Sequence, residues 1–195
     1  MAPVNTRRMS AAAVGAAVVL ALAGCASDDS TTAATTDSTT AMATSVSATP
    51  APPAFGTVGG ATLGMSESEV ESAVGSLGTA SKADGCITYT PNGSDGVSYG
   101  FSASAKTLSI ISMPSGGPGI PATSTIGELR TMFPGSTVEY HGPFGPNPAA
   151  VSVSPATGDA ALVYENADGE SDGSTVSRPA FGPKGWNGKA GCPAV

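Results

Sequence analysis

Hydrophobic and polar positions along the 195-residue chain fall into three regimes. Residues 11–22 are almost continuously apolar, and residues 26–53 mix Ser, Thr, Ala, Asp and Pro with no apolar period. From residue 55 onward the pattern becomes structured. Its clearest passage is Leu63-Gly64-Met65-Ser66-Glu67-Ser68-Glu69-Val70-Glu71-Ser72-Ala73-Val74-Gly75. Ser66 followed by Glu69 predicts a capping box, in which the two side chains satisfy orphan amides of a first helical turn. The acids of that turn suit the positive end of the helix dipole. Val70, Ala73, Val74 and Leu77 share one face at helical spacing, and Gly75 or Gly78 ends the run. About sixty residues on, Thr125-Ile126-Gly127-Glu128 predicts a second capping box. Leu129, Met132 and Phe133 supply its buried face, and Pro134-Gly135 stops it.

Strand-like runs separated by turn residues follow each helix. In the first half they cover residues 86–90, 97–103 and 107–113. In the second they cover 137–141, 150–154, 160–166 and, weakly, 174–178. Residues 181–195 read as a Gly/Pro-rich coil. The predicted architecture is α+β: two degenerate repeats, about 55–115 and 119–195, each a short helix covering an antiparallel β-meander, joined at Gly116-Gly117-Pro118-Gly119. The pattern leaves open whether they form one sheet or two.

The first regime carries targeting information. Arg7 and Arg8 precede an apolar run too short for a permanent membrane span, which predicts an export signal over residues 1–24. Leu22-Ala23-Gly24-Cys25 resembles the lipobox of bacterial lipoproteins. That resemblance implies cleavage before Cys25, lipidation of its thiol, and a cell-membrane anchor on the extracytoplasmic face; an ordinary secretory signal is the alternative. Thr6-Arg7-Arg8 is similar to the start of a twin-arginine signal, so the export route stays open. Residues 25–54 then form the lipidated cysteine and a disordered stalk, whose composition cannot offset the entropy of ordering. As a flexible coil it would hold the folded part roughly 30 Å from the lipid.

Charge narrows the partners. Two of the eight Lys and Arg lie in the signal, leaving six against fifteen acidic residues, a formal −9 for the mature chain. This disfavours nucleic acid as a partner. With Cys25 assigned to lipid, Cys86 and Cys192 remain; outside the cytoplasm they most simply form a disulfide, with a redox-active pair as the alternative.

The Leu-Gly-Met-Ser-x-x-Glu-Val-x-x-x-Val-Gly pattern, followed by strands and a degenerate second copy, resembles exported lipoproteins of the BamE (SmpA/OmlA) type and the tandem-repeat β-lactamase inhibitory proteins. The match covers about thirteen residues in the first copy and fewer in the second. It implies a protein-binding scaffold and carries over no contact residues.

Candidate chemistry is sparse. GVSYG, residues 96–100, has the G-x-S-x-G spacing of a nucleophile elbow centred on Ser98. An elbow needs a helix after the serine, whereas residues 97–103 continue as a strand. The single histidine, His141, offers one base, and no aspartate lies between the two. Residues 166–173, with Asp168 first, resemble the front of a calcium loop, but Pro179 stands where a bidentate Glu is needed, so an acidic hairpin is expected instead. Neither a metal nor another cofactor is called for. Aromatics in Pro/Gly-rich loops, Tyr140, Phe144 and Trp186, suit partner contacts. Trp186 could equally fold back beneath a disulfide-tethered tail. The expectation is therefore a non-enzymatic module binding another envelope or extracellular protein. A small-ligand carrier of lipid or peptide on the concave sheet face is the alternative, and a serine hydrolase at Ser98 the third possibility.

Overall fold

The structure, a computed structural model, describes residues 54–145, 147–189 and 191–195. The export signal, Cys25 and nearly all of the stalk lie outside the described residues.

A two-residue hairpin, β1 (Thr57–Val58) with β2 (Ala61–Thr62), leads into α1 (Glu67–Val74). The capping box forms: the Glu69 carboxylate accepts from the Ser66 hydroxyl at 2.7 Å and the Ser66 N–H at 2.8 Å, which holds Glu69 below the usual carboxylate range. Strands β3 (Ala80–Ala83), β4 (Cys86–Tyr89), β5 (Ser98–Ser102) and β6 (Leu108–Ser112) follow. After β7 (Thr123–Thr125) comes α2 (Ile126–Met132), then β8 (Thr137–His141), β9 (Ala149–Ser154), β10 (Ala160–Ala167) and β11 (Thr175–Pro183). Thr125 and Glu128 close the second capping box, with 2.8 Å from the Thr125 N–H to the carboxylate and 3.2 Å from the Glu128 N–H to the hydroxyl.

The predicted α+β fold of two helix-plus-meander repeats is corrected by the sheet. β3 to β11 form one nine-stranded antiparallel sheet in the order β3-β4-β5-β6-β11-β10-β9-β8, with β7 also on β11. Against it stand two helices of only 8 and 7 residues, so the fold is mostly antiparallel β. The decisive element is β11. One edge pairs with β10 along its length. The other pairs first with β7, at Thr175 to Ser177, and then with β6, at Ala180 and Phe181. Between the two partners stand Arg178, with φ 61°, and Pro179. A left-handed residue and a proline bend the strand there. The kink lets the Arg178 N–H reach the Ala122 carbonyl at 3.3 Å while the Pro179 carbonyl accepts from Met113 at 2.8 Å. The expected coil from residue 181 is corrected as well, since Phe181 to Pro183 complete β11.

Strand alternation sorts side chains onto two faces. Tyr99, Phe101, Ile111, Leu162, Tyr164, Val151 and Phe181 point into the main core, where Val70 and Leu77 from the α1 region and Ile126, Leu129 and Phe133 from the α2 region cover them. Met132, expected on the buried face of α2, is instead 37% exposed, because Ile126 and Leu129 fill that stripe. Phe55 ties the entering chain to this core, its ring 5.6 Å from Phe133 and 5.9 Å from Phe181. The opposite face carries smaller residues, among them Ala150, Val163 and Ala180, which pack against Trp186.

Candidate functional site

What organises this second face is the carboxyl-terminal tail, residues 184–195. Lys184 N–H donates to the Asp159 carbonyl at 2.6 Å, starting the tail where β11 ends. Trp186 then lies flat on the sheet and is only 8% exposed. The space it fills exists because residue 182 is glycine: a Cβ there would run into the indole. Its Nε1–H donates to the Lys189 carbonyl at 3.2 Å, folding the tail into a turn over the sheet. Gly188 passes close above Ala150 and Val163. Cys192 then closes a disulfide with Cys86, at 5.1 Å between Cα atoms. Gly100 makes room for it, since a Cβ there would sit 3.1 Å from Cys192 Sγ. Two bulky anchors, an indole and a disulfide, thus dock on positions kept empty by glycine.

Around the tail the surface is both cationic and aromatic. A groove of about 530 Å³ runs along Lys184, Trp186, Asn187 and Lys189 toward Asp84 and Cys192. Lys189 Nζ sits 4.0 Å from the centroid of the Phe144 ring, a cation–π contact. Phe144 is 39% exposed. Beneath the tail is a smaller polar chamber of about 130 Å³ reaching from Thr88, Ser98 and Ser112 to Glu165. Burial pushes the Glu165 carboxyl up, against the opposing pull of Arg178, whose Nη2 lies 3.5 Å away across the β10–β11 pair.

Other predicted positions are dispersed. Ser98 opens β5, opposite Ser112, with strand and not helix after it. It is half-buried under the tail. His141 is on β8, its Nε2 2.8 Å from Ser152 Oγ. Five strand spacings separate β5 from β8, about 24 Å along the sheet at roughly 4.8 Å per strand. The structure therefore does not bring Ser98 and His141 together. Tyr140 points the other way, half-buried against the main core beside Val151. Phe144 and Trp186 share the tail side, linked through Lys189.

The acidic hairpin 168–174 uses its carboxylates structurally. Asp168 accepts from the Thr175 N–H at 2.7 Å, and Asp172 forms an ion pair with Arg130 of α2. Among the described residues no three His, Cys, Asp or Glu side chains are grouped to hold a metal ion. No helix among them is long and apolar enough to cross a membrane. The helices cover one sheet face, and the tail covers part of the other.

Sequence reasoning missed Lys184, Lys189 and Gly182. Their significance depends on where the tail lies, which no local pattern encodes. No known protein family matches the chain, and neither a curated protein nor a solved structure does. The likeness to BamE-type lipoproteins rests on the motif residues alone.

Proposed function

We propose that this is a lipid-anchored, extracytoplasmic binding module, without catalytic activity, whose tail-bearing face engages another envelope or extracellular protein. The observation that carries this is Phe144, an exposed aromatic held under Lys189 beside a disulfide-pinned surface. Aromatic anchors on rigid supports are favoured contacts because little conformational entropy is lost when they dock. The charge of the face points to the partner. Arg178, Lys184 and Lys189, half of the six basic residues of the mature chain, lie on this side of an otherwise acidic protein. An acidic segment of a partner complements it. A lipid on Cys25 and a flexible stalk would give the module reach across the membrane surface.

The test is co-purification from membranes of wild type against Phe144→Ala and Lys189→Ala. Loss of a central aromatic anchor weakens binding about 30-fold, from about 2 kcal/mol. The co-purified partner is expected to drop sharply in Phe144→Ala, and its recovery is expected to be less salt-sensitive in Lys189→Ala than in wild type. Unchanged recovery in both variants would contradict the proposal.

A further inference from the structure

The chain contains two Asn-Gly pairs, Asn92-Gly93 and Asn187-Gly188, in opposite settings. Asparagine before glycine is open to succinimide chemistry, because glycine has no side chain to shield its backbone nitrogen from the neighbouring carboxamide. The two dipeptides are identical, so the fold decides which of them reacts.

Asn92 and Gly93 sit in the loop joining β4 to β5, and both are exposed. Nothing lies within 4 Å of the place that a Gly93 Cβ would take. Gly93, with φ 77°, is the third residue of a turn closed by the Ser94 N–H on the Pro91 carbonyl at 3.3 Å, a long hydrogen bond. The Gly93 N–H itself has no hydrogen-bond partner among the described residues. Little has to break for the Asn92 side chain to fold back onto the Gly93 nitrogen.

Asn187 and Gly188 are clamped and half-buried. The bond from Trp186 Nε1–H to the Lys189 carbonyl spans the pair at 3.2 Å. A Cβ on Gly188 would stand 3.3 Å from Ala150 Cβ and 3.4 Å from Val163 Cγ1, so the backbone there is pressed against the sheet. Reaction at this pair requires the tail to lift first, and the free energy of that local opening adds to the barrier.

We propose that Asn92 is a site of spontaneous modification, converted through a succinimide to aspartate and isoaspartate, while Asn187 is protected by the docked tail. The Gly93 nitrogen attacks Asn92 Cγ, the new N–C bond closes a five-membered ring, and the Cγ–Nδ2 bond breaks. The amide proton leaves with that nitrogen as ammonia. Water then adds to either ring carbonyl and opens the ring, so the net change is loss of ammonia and gain of water, with no oxidant or reductant. The product adds a carboxylate to a loop that already carries Asp95. Its isoaspartyl form also adds one backbone atom to the turn, so aged chains differ from new ones in charge and in loop geometry.

The experiment holds the full chain at mildly alkaline pH and follows both sites by mass spectrometry after tryptic digestion at slightly acidic pH. Residues 83–106 contain Asn92 as their single amide side chain, and residues 185–189 contain Asn187 as theirs. In the folded chain the first peptide should gain about one dalton at least about tenfold faster than the second, equivalent to about 1.4 kcal/mol of protection at Asn187. In the reduced, urea-unfolded chain the two rates should converge. Asn92→Gln, which would need a larger and slower ring, should abolish the gain in residues 83–106. No gain at Asn92, equally fast gain at Asn187 in the folded chain, a difference that persists in urea, or a gain that survives Asn92→Gln would overturn the proposal.

Discussion

Replacing both Cys86 and Cys192 with Ser tests how the tail is held. The bridge spans 106 residues of sequence. In the chain-entropy model a closed loop of that length removes about 16 cal/mol/K from the unfolded ensemble, about 4.7 kcal/mol at 25 °C. That figure is a ceiling, because the native state recovers some entropy once the bridge is gone. After Trp186, no backbone hydrogen bond joins the described tail residues to the sheet, so this end of the tail can move when released. A loss of about 3 to 4.7 kcal/mol is therefore expected. With a urea slope of about 2 kcal/mol/M, the midpoint should fall by roughly 1.5 to 2.4 M. The assay is urea unfolding followed by far-UV circular dichroism, with fluorescence of the single tryptophan recorded in parallel. In wild type the two signals should coincide. In the double variant Trp186 emission should shift at lower urea than the sheet signal, because one of the tail's two anchors is missing. A midpoint within about 0.5 M of wild type, with coincident signals, would refute the reasoning.

Three further predictions follow from particular residues. Gly182→Val places a side chain where the Trp186 indole sits and should cost about 1–3 kcal/mol as overpacking, with a red shift of Trp186 emission that marks its displacement. Glu165→Gln should raise the melting temperature at neutral pH. Its folded-state pKa is raised by burial, so its contribution is most favourable below the ordinary carboxylate value of about 4.3 and is lost as pH rises through the higher folded value. Wild type and variant should converge near pH 4 and separate toward pH 7; a less stable variant at pH 7 would mean the Arg178 interaction outweighs burial. Cys25→Ser should move the protein from the membrane fraction to the soluble fraction, since the acyl chains would be its tether; retention in the membrane would rule out lipidation at that position.

The helix starts were legible because capping boxes are local: Ser66 with Glu69 and Thr125 with Glu128 sit three residues apart and need nothing else. Most strands were legible too, β8 to the residue, because alternating apolar positions mark them. What escaped lacks that signal. β3 is Ala-Ser-Lys-Ala, exposed throughout, and β7 is Thr-Ser-Thr. β11 was cut short at its Pro179 and Gly182, residues that weaken a strand assignment. Yet the proline marks the point where β11 changes neighbour, and the glycine is the seat of Trp186. The overall class was misread for a related reason. Pairing of β6 with β11 joins residues about seventy positions apart, and no local pattern announces it. The candidate site inherits the same limit: Phe144 was visible as a loop aromatic, but its meeting with Lys189 depends on the path of the tail.

The most direct measurement of the central claim is amine-reactive crosslinking in intact membranes, followed by identification of what is recovered and of the lysines involved. The chain has four lysines, Lys82, Lys106, Lys184 and Lys189, and the latter two lie on the tail face. The account predicts one protein partner in near-stoichiometric yield, attached through Lys184 and Lys189. Recovery of the protein alone, or attachment confined to Lys82 and Lys106, would contradict it.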